Sequence, residues 1–189
     1  MKKITFEVPT LTVGMVQSRQ GEMVDLAKRS VDNQVLFSAM FKDFIIIDNR
    51  DRDKSIGHCF NKIVEMSKND YVFIMDDDDI IATDYLLNLL LFVSKMDKGE
   101  KFAGATTFLT CFREEDNALF PLNKVPTGML KREVLNKYKF DETLKNQVDS
   151  ELYDRLVKEG YQIKNMYWNY GYLYRQHPDN VSGSIILES

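Results

Sequence analysis

Cysteine is scarce in this sequence: Cys59 and Cys111, each beside apolar neighbours, are the only two in 189 residues. One pair in a chain of this length is no disulfide framework, so reduced thiols in a cytoplasmic protein are expected. A basic excess is lacking too. Against 25 Lys plus Arg stand 29 Asp plus Glu, a net charge of -4, which gives no overall field for nucleic acid. The most apolar stretch, residues 85–93, is interrupted by Asn88 and is about half the ~20 residues needed to cross a bilayer. It reads as a buried helix, and no transmembrane segment is expected. Residues 1–8 carry two lysines but then alternate polar and apolar side chains, so no export signal is expected either. No Gly-rich loop follows the first apolar run and no Walker-type lysine occurs, which removes the usual phosphate cradle of nucleotide hydrolases. Internal repeats and low-complexity segments are also missing.

What is present fits one globular α/β domain, with 44% apolar and 29% charged residues. Residues 11–16 form a short β-rich run ending in the polar break Gln17, Ser18, Arg19, Gln20, Gly21. Residues 22–31 have helical spacing, with acids early and Lys28 and Arg29 late, matching the helix dipole. Residues 44–47 read as a strand buried on both faces and closed by Asp48 and Asn49. A second helix from Ser55, and a third strand over 71–75 running into Asp76, complete the alternation. Such alternation predicts right-handed crossovers and a mostly parallel sheet, with ligands bound beyond the carboxyl ends of the strands. Gln17, Asp48 and Asp76 all fall there. The later chain predicts a helix over 84–97 capped by Thr83, a strand over 102–111, a mobile loop over 113–125, a turn and helix over 128–138, and a helix over 149–159. Residues 180–189 are expected to be mobile with the 113–125 loop.

Asp76, Asp77, Asp78 and Asp79 are four consecutive carboxylates after a fully apolar strand. Their mutual repulsion is costly unless a cation offsets it. A charge run after a strand is often only a solvated loop, but this one is followed at once by Ile80 and Ile81 and so sits against the core. Alternate residues share a side, so Asp76 and Asp78 are read as facing one ion, with Asp77 and Asp79 capping the next turn or meeting solvent. Hard oxygen ligands favour Mg2+ or Mn2+.

In these residues the chain resembles the family-2 glycosyltransferases of the GT-A fold, whose Asp-x-Asp metal motif ends a strand in a phrase like that of residues 71–86. RSVDNQ (29–34) is similar to that family's first-helix ending, FIIIDNRDRD (44–53) to its nucleotide loop, and Asn61 to its helix asparagine. GMLKR (128–132), KFDETL (139–144) and DSELYDRLVKEG (149–160) look like its acceptor side, and YRQHPDNVS (174–182) like its closing segment. The resemblance implies a single GT-A type domain over 1–189 with a Rossmann-like sheet flanked by helices. A nucleotide-sugar half would occupy about 1–100 and a short acceptor-side subdomain about 101–189. It implies inverting transfer of a sugar from a nucleoside-diphosphate donor, a UDP-sugar for preference, to an acceptor hydroxyl by direct displacement. By the same resemblance Gln17, Ser18, Arg19, Asp48, Asn61, Asp76, Asp77 and Arg175 bind the donor, Asp76, Asp78 and His177 hold Mn2+ or Mg2+, and Asp149 is the base. The loop 49–53 lacks the small residues usual there, and only one carboxylate, Asp149, stands at the base position.

Other residues have plainer readings. His58 is taken as packed or surface. The aromatics Tyr167, Trp168, Tyr170, Tyr172 and Tyr174 are taken first as strand packing, and Lys124, Lys131, Arg132 and Lys137 as a solvated face. Two other functions suit the acidic run: a metal-dependent nucleotidyl or phosphoryl transferase, and a non-catalytic module that holds nucleotide sugar and metal. The acceptor stays open among glycan, lipid-linked sugar, protein and modified nucleobase, and the oligomeric state is equally open.

Overall fold

The computed structural model describes residues 9–35, 41–97, 99, 101–122, 128–166 and 171–177. Tyr167, Trp168, Tyr170, Lys124 and residues 180–189 lie outside them. The first half follows the expected alternation: β1 (Leu11–Gln17), α1 (Glu22–Asp32), β2 (Phe41–Asp48), α2 (Ile56–Met66) and β3 (Tyr71–Asp76). β1 lies between β2 and β3 and parallel to both, with Gln17 opposite Asp48 and Val16 opposite Asp76. Three strands therefore end on one rim.

Local chemistry explains these elements. Glu22 and Asp25 open α1 and Arg29 closes it, each complementing the helix dipole. Ser55 caps α2 by accepting a hydrogen bond from the His58 backbone N–H at 3.2 Å. Residues of one strand face alternate sides: Leu11, Val13, Met15, Tyr71, Phe73 and Met75 pack against α1 and against α3 (Tyr85–Met96). Val72 and Ile74 face the opposite side, against α2 and the helices α4 (Arg132–Tyr138) and α5 (Val148–Lys158). Gly14 permits the close approach of β1 to α2, since a Cβ there would stand 2.4 Å from Ile63 Cγ2.

The single, mostly parallel sheet of a GT-A type domain is corrected by the topology, because the strands form two separate sheets. The first continues beyond β3 through β8 (Met129–Lys131), β5 (Phe102–Thr107) and β9 (Gln162–Met166), in the order β2-β1-β3-β8-β5-β9. β8 runs antiparallel to both its neighbours. The second comprises β4 (Ile80–Ile81), β10 (Tyr172–Gln176), β6 (Leu109–Arg113) and β7 (Ala118–Leu122), in the order β4-β10-β6-β7. The strand expected over 102–111 is thus two strands, and the chain changes sheet at Phe108. The loop expected from 113 holds β7, which returns antiparallel along β6. Its last residues, 123–125, lie outside the described chain. β2 was expected to be buried on both faces; it is an edge strand, with Ile46 39% exposed. The cap of α3 is Asp84 rather than Thr83, and α5 is preceded by Gln147 in the left-handed region at φ 56°. No helix among the described residues is long and apolar enough to cross a membrane.

Candidate active site

The acidic run is placed where the two sheets meet. Asp76 closes β3 of the large sheet, Asp77 and Asp78 form the turn, and Asp79 leads into β4 of the small one. Asp77, Asp78 and Asp79 are buried, whereas Asp76 is open to solvent at the rim. Asp77 and Asp79 therefore neither cap a turn nor meet solvent, as the alternation of the run had suggested. Asp77 Oδ2 accepts the backbone N–H of Ser18 at 2.6 Å, which ties the end of β1 to the run. Asp79 is held from β10: the Tyr172 hydroxyl donates to its Oδ2 at 2.6 Å and the Arg175 backbone N–H to its Oδ1 at 3.1 Å.

Carboxylate oxygens of Asp76, Asp78 and Asp79 lie within 4.8 Å of one another. Oxygens sharing one hard cation, each about 2.1–2.5 Å from it, are about 3–3.5 Å apart when adjacent and about 4–5 Å when opposite, so this group falls within that range. The donor set therefore fits a divalent ion, with Asp79 as a member that the alternation of the run had hidden. The electrostatics agree. The crowding of protein around its carboxyl and the charges of Asp78, Asp149 and Asp77 push Asp76 up to about 7. Because Asp76 is open to solvent, the like charges weigh more than lost hydration. Burial, then the charges of Asp76 and Asp78, push Asp79 well above the carboxylate range against the pull of Tyr172 and Arg175. Burial also raises Asp77, and the Ser18 N–H and Arg19 oppose it.

Arg19 and His177 close the site. Arg19 Nη1 bonds Asp78 Oδ2 and lies 2.8 Å from His177 Nε2, which is itself 2.7 Å from the same carboxylate oxygen. Arg175 sends Nη2 to Glu114 Oε1 at 2.7 Å and leaves its buried Nε without a hydrogen-bond partner among the described residues. Gln17 is engaged locally, donating to Arg19 O and accepting from Lys28 Nζ, both at 2.9 Å. Asp48 is exposed and gripped by Arg50, whose guanidinium and backbone N–H hold its carboxyl down at about 2.

Asp149, in the first turn of α5, is half-buried, and its charge is felt at both Asp76 and the Tyr153 hydroxyl. The structure thus brings Ser18, Arg19, Asp76, Asp77, Asp78 and His177 around one centre, with Arg175 joined through its backbone N–H, Asp149 near enough for its charge to be felt at Asp76, and Gln17 and Asp48 farther out along the rim. Asn61 is elsewhere. Buried in α2, it donates to Phe140 O at 3.0 Å and Glu142 Oε1 at 2.9 Å and accepts from the Phe140 N–H at 2.8 Å. It clamps the turn after α4. Glu114 and Lys28 join the site with no sign in the sequence, whereas Tyr172, read there as strand packing, packs against Phe73 and Tyr85 and also holds Asp79 through its hydroxyl.

No protein-family model matches the chain, nor does any curated protein sequence. Solved structures do match. The fold is similar to S. aureus TarS 1-349 in complex with UDP, at TM-score 0.69 and 13% identity over 89% of this chain and 61% of that one. The same region in complex with UDP-GlcNAc matches at TM-score 0.67 and 13% identity, over 90% and 60%. A longer S. aureus TarS chain matches at TM-score 0.66 and 12% identity, over 89% and 37%. This chain therefore spans about 37% to 61% of the TarS chains it matches, and at such identity the likeness is one of fold. The family-2, GT-A expectation is corrected here: no family model carries it, the strands form two sheets rather than one, and the likeness in fold is to TarS.

Proposed function

We propose that this chain is a metal-dependent glycosyltransferase that moves a sugar from a nucleoside-diphosphate donor to an acceptor hydroxyl with inversion, by direct displacement. The observation that carries the proposal is the convergence of the Asp76, Asp78 and Asp79 oxygens at the rim of a fold shared with a protein crystallised with UDP and with UDP-GlcNAc. That likeness makes a UDP-sugar the preferred donor. A divalent ion held by Asp76, Asp78 and Asp79, with His177 Nε2 beside Asp78, would neutralise the charge that collects on a departing diphosphate.

The chain's own groups supply the rest. The buried Arg175 Nε–H, without a partner among the described residues, is a donor that a diphosphate oxygen would satisfy. Ser18, whose N–H fixes Asp77, and Gln17 beside it border the place for the nucleoside, with Asp48 at its outer edge. Asp149, in the first turn of α5 and near enough to Asp76 for its charge to be felt there, is the carboxylate best suited to accept the acceptor's proton. Glu151 is bonded to Arg155 at 2.8 and 2.9 Å, and Glu142 to Asn61 and His58. The two free, buried cysteines suit a reducing, cytoplasmic setting. Incubating the protein with UDP-GlcNAc and Mn2+ and following UDP release tests the proposal. Metal-dependent UDP formation is expected, and release of phosphate or pyrophosphate instead would point to nucleotidyl or phosphoryl transfer.

A further inference from the structure

Arg19 stands at the edge of the Asp76, Asp78 and Asp79 group, bonded to one of its members, Asp78. Asp78 Oδ2 and His177 Nε2 are 2.7 Å apart, and both converge on Arg19 Nη1: the oxygen bonds it and the imidazole nitrogen lies 2.8 Å from it. The Arg19 side chain is only 18% exposed, and those of Asp78 and His177 each 5%. The guanidinium is thus packed into the site and is no surface ornament. Its Nε keeps a looser hold, 4.0 Å from Asp77 Oδ1, while Asp77 is itself fixed by the Ser18 N–H at 2.6 Å.

A guanidinium here offsets the repulsion of adjacent buried carboxylates. A divalent ion that uses Asp78 competes with Arg19 for that carboxylate, and two cations in contact repel each other strongly in a partly buried site. A planar guanidinium released from a carboxylate is also well shaped to hold two oxygens of a diphosphate, which a lysine is not.

We propose that Arg19 is a built-in counter-ion that holds Asp78 and His177 until a divalent ion displaces it, and that it then turns about the Asp77 end to grip the donor's diphosphate. The proposal rests on the metal and nucleoside-diphosphate reading given above and adds a partner exchange to it. Metal alone binds weakly, because it must expel Arg19 without giving the freed charge a new anion. Nucleoside diphosphate supplies that anion, so metal and nucleotide strengthen each other's binding by the same factor.

Calorimetry with Mn2+ alone, and then with UDP at saturating Mn2+, tests the exchange on the unmodified chain, Arg19→Gln and Arg19→Lys. Arg19→Gln is expected to bind Mn2+ alone about tenfold more tightly and UDP about tenfold more weakly, and Arg19→Lys to restore neither the coupling nor the UDP affinity in full. Mn2+ affinity that is equal or weaker in Arg19→Gln overturns the exchange while leaving the metal site standing. Failure of the unmodified chain to bind Mn2+ at all overturns the metal site and the exchange together. Should Arg19→Gln not fold, the 15N resonance of Arg19 Nε in the unmodified chain decides: a shift on saturation with Mg2+ supports displacement, and an unmoved signal overturns it.

Discussion

In the proposed reaction Asp78 and Asp149 carry the two halves of the chemistry, and each has a structural role from which its chemical one must be separated. Asp78 is buried between Arg19 and His177. Asp78→Ala is expected to abolish most of the metal dependence of UDP binding; calorimetry in Mn2+ and in chelator checks it, and an undiminished difference between the two conditions would remove Asp78 from the metal site. Asp149 lies one residue inside α5, where a negative charge favours the helix N-terminus. The preceding Gln147 makes no side-chain cap, so Asp149 is the first acidic group of the helix. Asp149→Asn keeps its shape but cannot take a proton at neutral pH. Turnover is expected to fall about a hundredfold or more, the usual scale of general-base catalysis, with melting temperature nearly unchanged. Retained turnover per folded molecule would leave Asp149 a helix-end charge only.

Among the elements, β8 does more than its three residues suggest, since it joins β3 to β5 and places Gly128 beneath α5. The Gly128 N–H donates to the Tyr153 hydroxyl, and a Cβ at 128 would stand 2.5 Å from Ala105 O. Gly128→Ala should therefore destabilise the fold by about 1–3 kcal/mol, the common cost of overpacking, whereas Gly99→Ala, which meets nothing within 4 Å, should be near neutral. Urea unfolding of the two variants compares them directly, and equal midpoints would mean that the β8 packing yields. These elements also mark what was legible in the sequence. The helices α1, α2 and α5 and the strands β1 and β3 announce themselves by long periodic runs bounded by Gly21, Ser55 and the aspartates. A three-residue strand has no period to read, and residues 102–111 look β-forming on both sides of Phe108, so the change of sheet leaves no local signal. The acidic run and the helix-borne Asp149 were visible as residue types. The meeting of Arg19 with His177, 158 residues apart, comes only from the folded arrangement of β1 beside β3 and β10 beside β4.

At the scale of the whole molecule, the acidic rim makes stability depend on pH in an unusual direction. Folding raises Asp76 from the ordinary 3.8 to about 7 and Asp79 well above 3.8. Between those values the folded chain binds more protons than the unfolded one, so the stability these groups contribute is present below about pH 4 and is lost as pH rises through about 7. In chelator, the melting temperature should therefore fall from pH 5 to pH 7.5, and Mn2+ should restore it increasingly as pH rises, since metal and protons compete for the same oxygens. A melting temperature that climbs over that range in chelator would contradict the ring of raised carboxylates. The central claim is that this rim holds a nucleoside diphosphate through a divalent ion. Calorimetric titration of the unmodified chain with UDP, once in saturating Mn2+ and once in chelator, tests it most directly: binding at least about tenfold tighter with the metal, a difference of ~1.4 kcal/mol, is the result predicted here, and equal affinity in the two conditions, or no binding in either, would contradict it.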